Sequence, residues 1–415
     1  MIHKIFLIFN ELNNISMLLK KLDHREYNYR EKSISAIGDS VRFVERFMEP
    51  HNNRVIGLDI VRAVAILLVV YGHGAYLLPP ELIKYYYIPL PFIDGVSIFF
   101  VLSGFLIGGI LLNIIQNGNF TSRDLLNFWL RRWFRTVPNY FLVLSGLLIY
   151  QILFYHNLGE VNFRYILFLQ NFISPHPPMF PEAWSLCVEE WFYLLFPIAC
   201  FIFYKLLKNK SKSVLLSALL FILPPLIFRV LYYYNGITFY NLDSNIRKVV
   251  VFRLDSLMYG IIGAYFFRFQ KSSWMKYKNV CLVFSLVMIL CVTIYHRMDP
   301  SLAFLAVYQY NLESLATLLS LPYLSELKSI KLKFITFIIT FISIISYSMY
   351  LLNYSVVQCR LIPLSLSIAG LKGITSNYLM VLTYFMYWVY ILFGSFILYK
   401  YFEKPMMDLR NRFTL

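Results

Sequence analysis

The sequence predicts an all-α membrane protein, a bundle of about ten helices that cross the bilayer, and three observations lead there. Of the 415 residues, 59% are hydrophobic and only 14% are charged, where soluble domains carry about 25% charged residues. The apolar residues gather into runs near the roughly 20 residues that one spanning helix needs. Inside lipid every backbone polar group must be satisfied internally, which leaves helices or closed barrels, and these runs are too long and continuous for barrel strands. Finally, the basic residues behind the net charge of +16 concentrate in alternate loops, the pattern of a multi-pass protein of the plasma (inner) membrane.

Taken in order, residues 1–53 are polar and charged, unlike the rest of the chain. The opening IFLIF is too short for a signal-peptide core, and no small-residue cleavage site comes after it. An amphipathic cytoplasmic extension at the membrane surface fits. The apolar pattern starts only after Met48, which makes that residue a candidate start codon and residues 54–410 the transmembrane domain. Spans are expected at 55–78, 91–115, 137–155, 183–204, 213–234, 249–267, 279–296, 302–323, 334–355 and 377–399. With the N-terminus inside, the inner loops hold Arg123, Arg131, Arg132 and Arg135, then Lys205, Lys208, Lys210 and Lys212, then Arg268, Lys271, Lys276 and Lys278, then Lys328, Lys331 and Lys333. The tail adds Lys400, Lys404, Arg410 and Arg412, while the outer loops carry only scattered bases: Lys84, Arg164, Arg247, Lys248, Arg297, Arg360 and Lys372. Both termini therefore face the cytoplasm. The positive charge is accounted for by topology, so no nucleic-acid partner is inferred. The five cysteines, Cys187, Cys200, Cys281, Cys291 and Cys359, form no CxxC pair. They read as buried thiols packing as small hydrophobes, with neither a disulfide framework nor a metal site.

Ionisable groups inside a span are costly and mark function by default. The first span, GLDIVRAVAILLVVYGHGAYLL, carries Asp59, Arg62 and His73. Eleven residues apart, Arg62 and His73 fall about 20° apart on one helix face and roughly 16 Å apart along it. Asp59 is placed to pair with Arg62. This polar stripe must face the bundle interior or a wet cavity, either as a site or as a structural ion pair with an unrelated histidine. In FFVLSGFLIGG, Ser103, Gly104, Gly108 and Gly109 permit close helix packing or the approach of a ligand to the backbone. In NFWLRRWFRTVPNYF, Arg131, Arg132 and Arg135 alternate with aromatics before Pro138, which is expected to open a new helix. That cluster reads as an interfacial anchor or as a clamp for phosphate oxygens. In EAWSLCVEEWFYLLFP, Ser185, Glu189 and Tyr193 share a face while Glu190 points elsewhere. FRLDSLMYG adds Arg253 and Asp255, and SIISYSMYLLNYS adds Ser346, Tyr347, Ser348, Tyr350 and Asn353. No GxxxxGK[ST], GxSxG or HExxH is present, so nothing points to ATP coupling, a serine hydrolase or a zinc peptidase.

Together, GLDIVRAVAILLVVYGH, FFVLSGFLIG, LRRWFRTVPNYF, WSLCVEEWFYLLFP, FRLDSLMYG, SYSMYLLNYS and FEKPMMDL resemble, in order, the landmarks of the acyltransferase 3 family of membrane O-acyltransferases, over residues 54 to 410. The resemblance implies transfer of an acyl group, usually acetyl, from cytoplasmic acyl-CoA to a sugar hydroxyl of a lipid-linked or surface glycan. It implies no tightly bound cofactor, acyl-CoA being a co-substrate. It carries the family histidine to His73, the first-helix arginine to Arg62, Arg-x-x-Arg to Arg132 and Arg135, and Trp-Ser-Leu with its following Glu to Trp184, Ser185 and Glu189. Where members often have His this chain has Asn353, which cannot take a proton at neutral pH and is left with binding or positioning.

On this reading His73 is the general base, with Arg62 and Glu189 as further catalytic candidates. Glu189 either orients His73 or binds the acceptor. Arg132 and Arg135 hold the CoA phosphates, and Ser103, Trp184, Ser185, Arg253, Asp255 and Asn353 are candidate substrate contacts. Two rival readings use the same features: a glycan or lipid flippase or exporter without covalent chemistry, and a catalytically dead partner of a polysaccharide synthase.

Overall fold

The computed structural model describes residues 54–409 apart from 89, 118–119, 157–161, 372 and 375, together with the backbone but not the side chains of residues 84 and 117. The N-terminal extension 1–53, Lys372, Arg410 and Arg412 lie outside the described residues. From Val55 onward the chain is one compact unit. It is built from helices, with no strand among the described residues.

Among the described residues, ten helices of 16 residues or more succeed one another: α1 (Ile56–Gly74), α2 (Gly95–Asn117), α3 (Ser122–Tyr155), α4 (Trp184–Leu207), α5 (Lys210–Tyr234), α6 (Leu254–Phe269), α7 (Lys278–Arg297), α8 (Gln309–Leu324), α9 (Lys333–Leu352) and α10 (Asn377–Leu398). Each overlaps one of the ten segments expected from the sequence. Eight are long and apolar enough to cross a membrane, counting the turns that extend α9 to Ile368 and α10 to Leu409. The other two, α6 and α8, have 16 residues each, about 24 Å of helix against a hydrocarbon core of about 30 Å. A 3₁₀ turn at Val250–Phe252 leads into α6 and a π turn at Phe304–Tyr308 into α8.

Pro138 does not open a helix, contrary to the sequence expectation. It lies inside the 34-residue α3, where the Thr136 carbonyl accepts a hydrogen bond from the Tyr347 hydroxyl at 2.7 Å. The carbonyl that the missing proline N–H leaves over is that of Phe134, four residues back, and interior prolines are tolerated in membrane helices. The start of α3 is set instead by a capping box. The Asp124 amide donates to Thr121 Oγ1 at 3.3 Å and the Thr121 amide to Asp124 Oδ2 at 2.9 Å. One continuous helix thus carries Arg131, Arg132 and Arg135 in its N-terminal half.

The closest helix pair is α2 on α6, with α1 wedged against α2 and α9. Glycine makes this possible. A Cβ on Gly104 would stand 1.9 Å from the Leu257 carbonyl oxygen, and one on Gly260 would stand 2.0 Å from that of Val101. Gly104 and Gly108 of the small-residue run in α2 therefore form a packing seam, while a Cβ on Gly109 would meet nothing within 4 Å. Large apolar side chains are exposed along α5 (Leu219, Leu223, Ile227), α7 (Val283, Phe284, Val287) and α10 (Phe385, Val389, Phe393), surfaces suited to hydrocarbon. Of the cysteines, Cys187 and Cys200 are buried as expected. Cys291 and Cys359 are exposed, Cys281 is half-buried, and all five are free.

Candidate active site

Two polar cavities lie inside the bundle. The first is lined by Arg62 of α1, Ser103 of α2, Arg132 and Arg135 of α3, Ser185 and Glu189 of α4, and Tyr350 of α9. The shared face of Ser185, Glu189 and Tyr193 arises as the four-residue spacing requires. Ser103 Oγ donates to Glu189 Oε1 at 3.1 Å, and the Tyr193 hydroxyl donates to Oε2 at 3.0 Å. The Arg132 guanidinium lies 4.6 Å from the centre of the Tyr193 ring. Glu190 turns away to accept from Thr136 Oγ1 at 2.6 Å. Arg62 pairs with Asp59 at 3.4 Å and donates to Ser343 Oγ at 3.0 Å, and Ser343 in turn donates to Asp59 at 2.6 Å. This cavity has the donor groups for an anion: three guanidiniums, with Glu189 the one carboxylate in its lining.

The second cavity is lined by His73 at the far end of the α1 stripe and Tyr76 just beyond α1, by Asp94, Glu182, Trp184, Asp243, Arg247 and Lys248, and again by Tyr350. His73 meets Asn353 here, 280 positions away in sequence, its Nδ1 in a short hydrogen bond with Asn353 Oδ1. The amide's orientation is set by its other bonds. At Asn353 the α-helix gives way to π-helical turns (Asn353–Leu361), and Asn353 Nδ2 donates to the carbonyls of Met349 at 3.1 Å and Tyr350 at 2.6 Å. Two acceptors demand the NH₂ end, so Oδ1 is left to accept. A proton must then sit on His73 Nδ1, and Nε2 carries the lone pair. The Glu189 carboxylate lies in the other cavity and makes no bond to His73; Asn353 takes the orienting place.

Around the mouth of this cavity, Arg247 holds Asp94 with Nη2 at 3.1 Å and Nε at 3.4 Å, and Asp243 with Nη1 at 2.8 Å. Its guanidinium lies 5.1 Å from the Trp184 ring. Lys248 pairs with the other oxygen of Asp243. Burial pushes the Asp243 carboxyl up, but Arg247 and Lys248 outweigh it and hold the group below its ordinary range. Charged groups of both signs with exposed aromatic surface, such as Tyr76, make a lining that suits a polyhydroxylated ligand.

Arg253 and Asp255 line neither cavity. Both are fully buried. Asp255 pairs with Arg229 of α5 at 2.6 Å, while Arg253 donates to Ser97 Oγ at 2.9 Å and lies 4.0 Å from the Tyr310 ring centre. These contacts brace the helices behind Asp94. Sequence reasoning did not single out Asp94, Glu182, Asp243 or Arg229, and it read Arg247 and Lys248 as scattered loop bases. One signal for Asp94 was available: in DGVS it caps α2, accepting from the Val96 amide at 3.1 Å and from Ser97 Oγ at 3.2 Å. No group of three or more His, Cys, Asp or Glu placed to hold a metal occurs among the described residues.

The chain is thus a polytopic helix bundle with an arginine-lined cavity and, in a second cavity, a histidine hydrogen-bonded to Asn353. The chain belongs to the acyltransferase 3 family: the family model described as an acyltransferase domain matches residues 55–403. The chain is 30% identical over 203 residues to the putative peptidoglycan O-acetyltransferase YrhL of Bacillus subtilis, covering 45% of this chain and 30% of the relative. It is 30% identical over 172 residues to the peptidoglycan O-acetyltransferase OatA of Listeria monocytogenes, covering 37% and 25%. It is also 30% identical over 157 residues to the O-acetyltransferase OatA of Staphylococcus aureus, covering 34% and 24%. The matched stretch thus spans less than a third of the length of each of these relatives. No solved structure matches the chain.

Proposed function

We propose that this chain is a membrane-embedded O-acyltransferase, moving an acyl group, acetyl in the first instance, from cytoplasmic acyl-CoA to a hydroxyl of a surface or lipid-linked glycan. Peptidoglycan, named for two of its relatives, is the first acceptor to test. The observation that carries the reading is the His73–Asn353 pair, which leaves Nε2 of the histidine as a base beside a cavity of sugar-binding character. All ten long helices cross the plasma membrane, α6 and α8 with the help of the turns that precede them. The arginine cavity opens to the cytoplasm along with both termini, as the basic loops require.

Arg132 and Arg135 bind the CoA phosphates as charge-assisted donors. Glu189, held by Ser103 and Tyr193, balances their charge. Arg62 faces the pantetheine arm as it runs along the α1 stripe. The acceptor hydroxyl, bound near Trp184 and Arg247, attacks the thioester carbonyl carbon while His73 Nε2 takes its proton. The carbon–sulfur bond breaks, the imidazolium returns the proton to the departing thiolate, and the ester and free CoA thiol leave with histidine neutral again. No tightly bound cofactor takes part. Residues 54–410 form the working domain. The test is to supply purified protein in sealed proteoliposomes with acetyl-CoA and peptidoglycan fragments, and to track thiol release and ester formation together. Stoichiometric appearance of both supports the enzyme. Glycan movement with the thioester untouched would identify a flippase instead.

A further inference from the structure

The two cavities share the side chains of Val96 and Tyr350 in their linings. Tyr350 is 7% exposed and tied on both sides. Its hydroxyl donates to the Glu182 carbonyl at 2.8 Å and accepts from Ser185 Oγ at 2.7 Å. Ser185 lines the arginine cavity, whereas Glu182 lines the histidine cavity. The Tyr350 carbonyl is one of the two that orient Asn353, and through it His73. Phe99 closes the other flank of the ring, edge-on with centroids 6.4 Å apart. We infer that Tyr350 is the partition between donor and acceptor cavities, latched shut by Glu182 and Ser185, and that it swings aside to let the thioester reach His73. The inference rests on the two-cavity reading above.

The chemistry gives such a partition a purpose. A thioester open to the acceptor cavity without a bound glycan would lose its acyl group to water, giving acetate and free thiol. A latch of two neutral hydrogen bonds is weak enough to open, and the opening residue is joined to the base it exposes. Tyr350 is a positioning residue in this account: it governs access and gives or takes no proton.

The test uses full-length protein in sealed vesicles, with a membrane-impermeant maleimide applied to each face in turn and adducts located by peptide mass spectrometry, which separates them from the native cysteines. Tyr76→Cys, at the exposed mouth of the histidine cavity, reports which face that cavity opens to. If that face is the cytoplasmic one, the orientation proposed above fails, and the partition is still tested from whichever face Tyr76→Cys identifies. Ser103→Cys, inside the arginine cavity, should be silent from that face in the presence of Tyr350. It should label in the Tyr350→Ala background and slowly in Tyr350→Phe, which keeps the ring but loses the latch. Thioester hydrolysis without acceptor should rise in the same order. Labelling of Ser103→Cys from that face with Tyr350 intact overturns the partition, and so does silence in both Tyr350 variants.

Discussion

Replacing Asn353 with leucine keeps the bulk of the side chain and removes both of its polar ends. In the native arrangement Oδ1 accepts from His73 Nδ1–H while Nδ2 satisfies the Met349 and Tyr350 carbonyls. The substitution strands a buried imidazole N–H and the Tyr350 carbonyl, and it frees the ring to rotate or to move its proton to Nε2, where it no longer serves as a base. Leaving a buried group unsatisfied costs about 1–3 kcal/mol. If that cost falls on the reactive tautomer, turnover drops roughly 5- to 160-fold at about 1.36 kcal/mol per decade. Asn353 does not line the arginine cavity, so the KM for acyl-CoA should stay unchanged. The assay is initial-rate acyl transfer with acyl-CoA varied, at matched amounts of folded protein. Asn353→His should recover much of the loss, because an imidazole nitrogen can accept from His73. Full activity in the leucine variant, a loss confined to KM, or no advantage of His over Leu would refute the orienting role.

Other substitutions divide the site the same way. Arg132→Ala or Arg135→Ala should raise the KM for acyl-CoA by the equivalent of about 1.5–3 kcal/mol, the worth of a charged hydrogen bond; unchanged donor affinity in both would reduce them to interfacial anchors. Gly260→Val should lower thermal stability in detergent by at least the roughly 1–3 kcal/mol typical of overpacking, because its Cβ would meet the Val101 carbonyl at 2.0 Å; a neutral effect would mean the α2–α6 seam yields. A chain begun at Met48 should insert and stay active, and loss of activity at normal membrane levels would give residues 1–47 a working part.

The sequence disclosed the helices because lipid enforces long apolar runs, and each of the ten expected segments overlaps one long helix. Its error at Pro138 came from applying a soluble-protein rule: an interior proline is tolerated in a membrane helix, and Pro138 lies inside α3. The charged residues of α1, α3 and α4 were legible as site candidates because charge in a span is conspicuous. What stayed hidden depends on contacts across the chain. Asn353 was recognised as a departure, but its work on His73 depends on a helix 280 residues away. Arg247 and Lys248 looked like loop bases until Asp94 and Asp243 came beside them. Tyr350 was one hydroxyl among several, and only its place in the linings of two cavities sets it apart. Arg253 and Asp255 show the converse: charge within the bundle marked them as candidate substrate contacts, yet both are fully buried and outside the linings of the two cavities.

The central claim is that His73 Nε2 takes the acceptor's proton, and His73→Asn tests it most directly. Asparagine keeps a polar side chain of similar reach but cannot accept a proton at neutral pH. Acyl transfer and acyl-CoA binding should be measured on the same preparation. The account predicts a loss of transfer of about 10²–10⁴-fold, the usual worth of a general base, with donor affinity retained because His73 lies outside the arginine cavity. An asparagine variant that acylates its acceptor at near the native rate would contradict it.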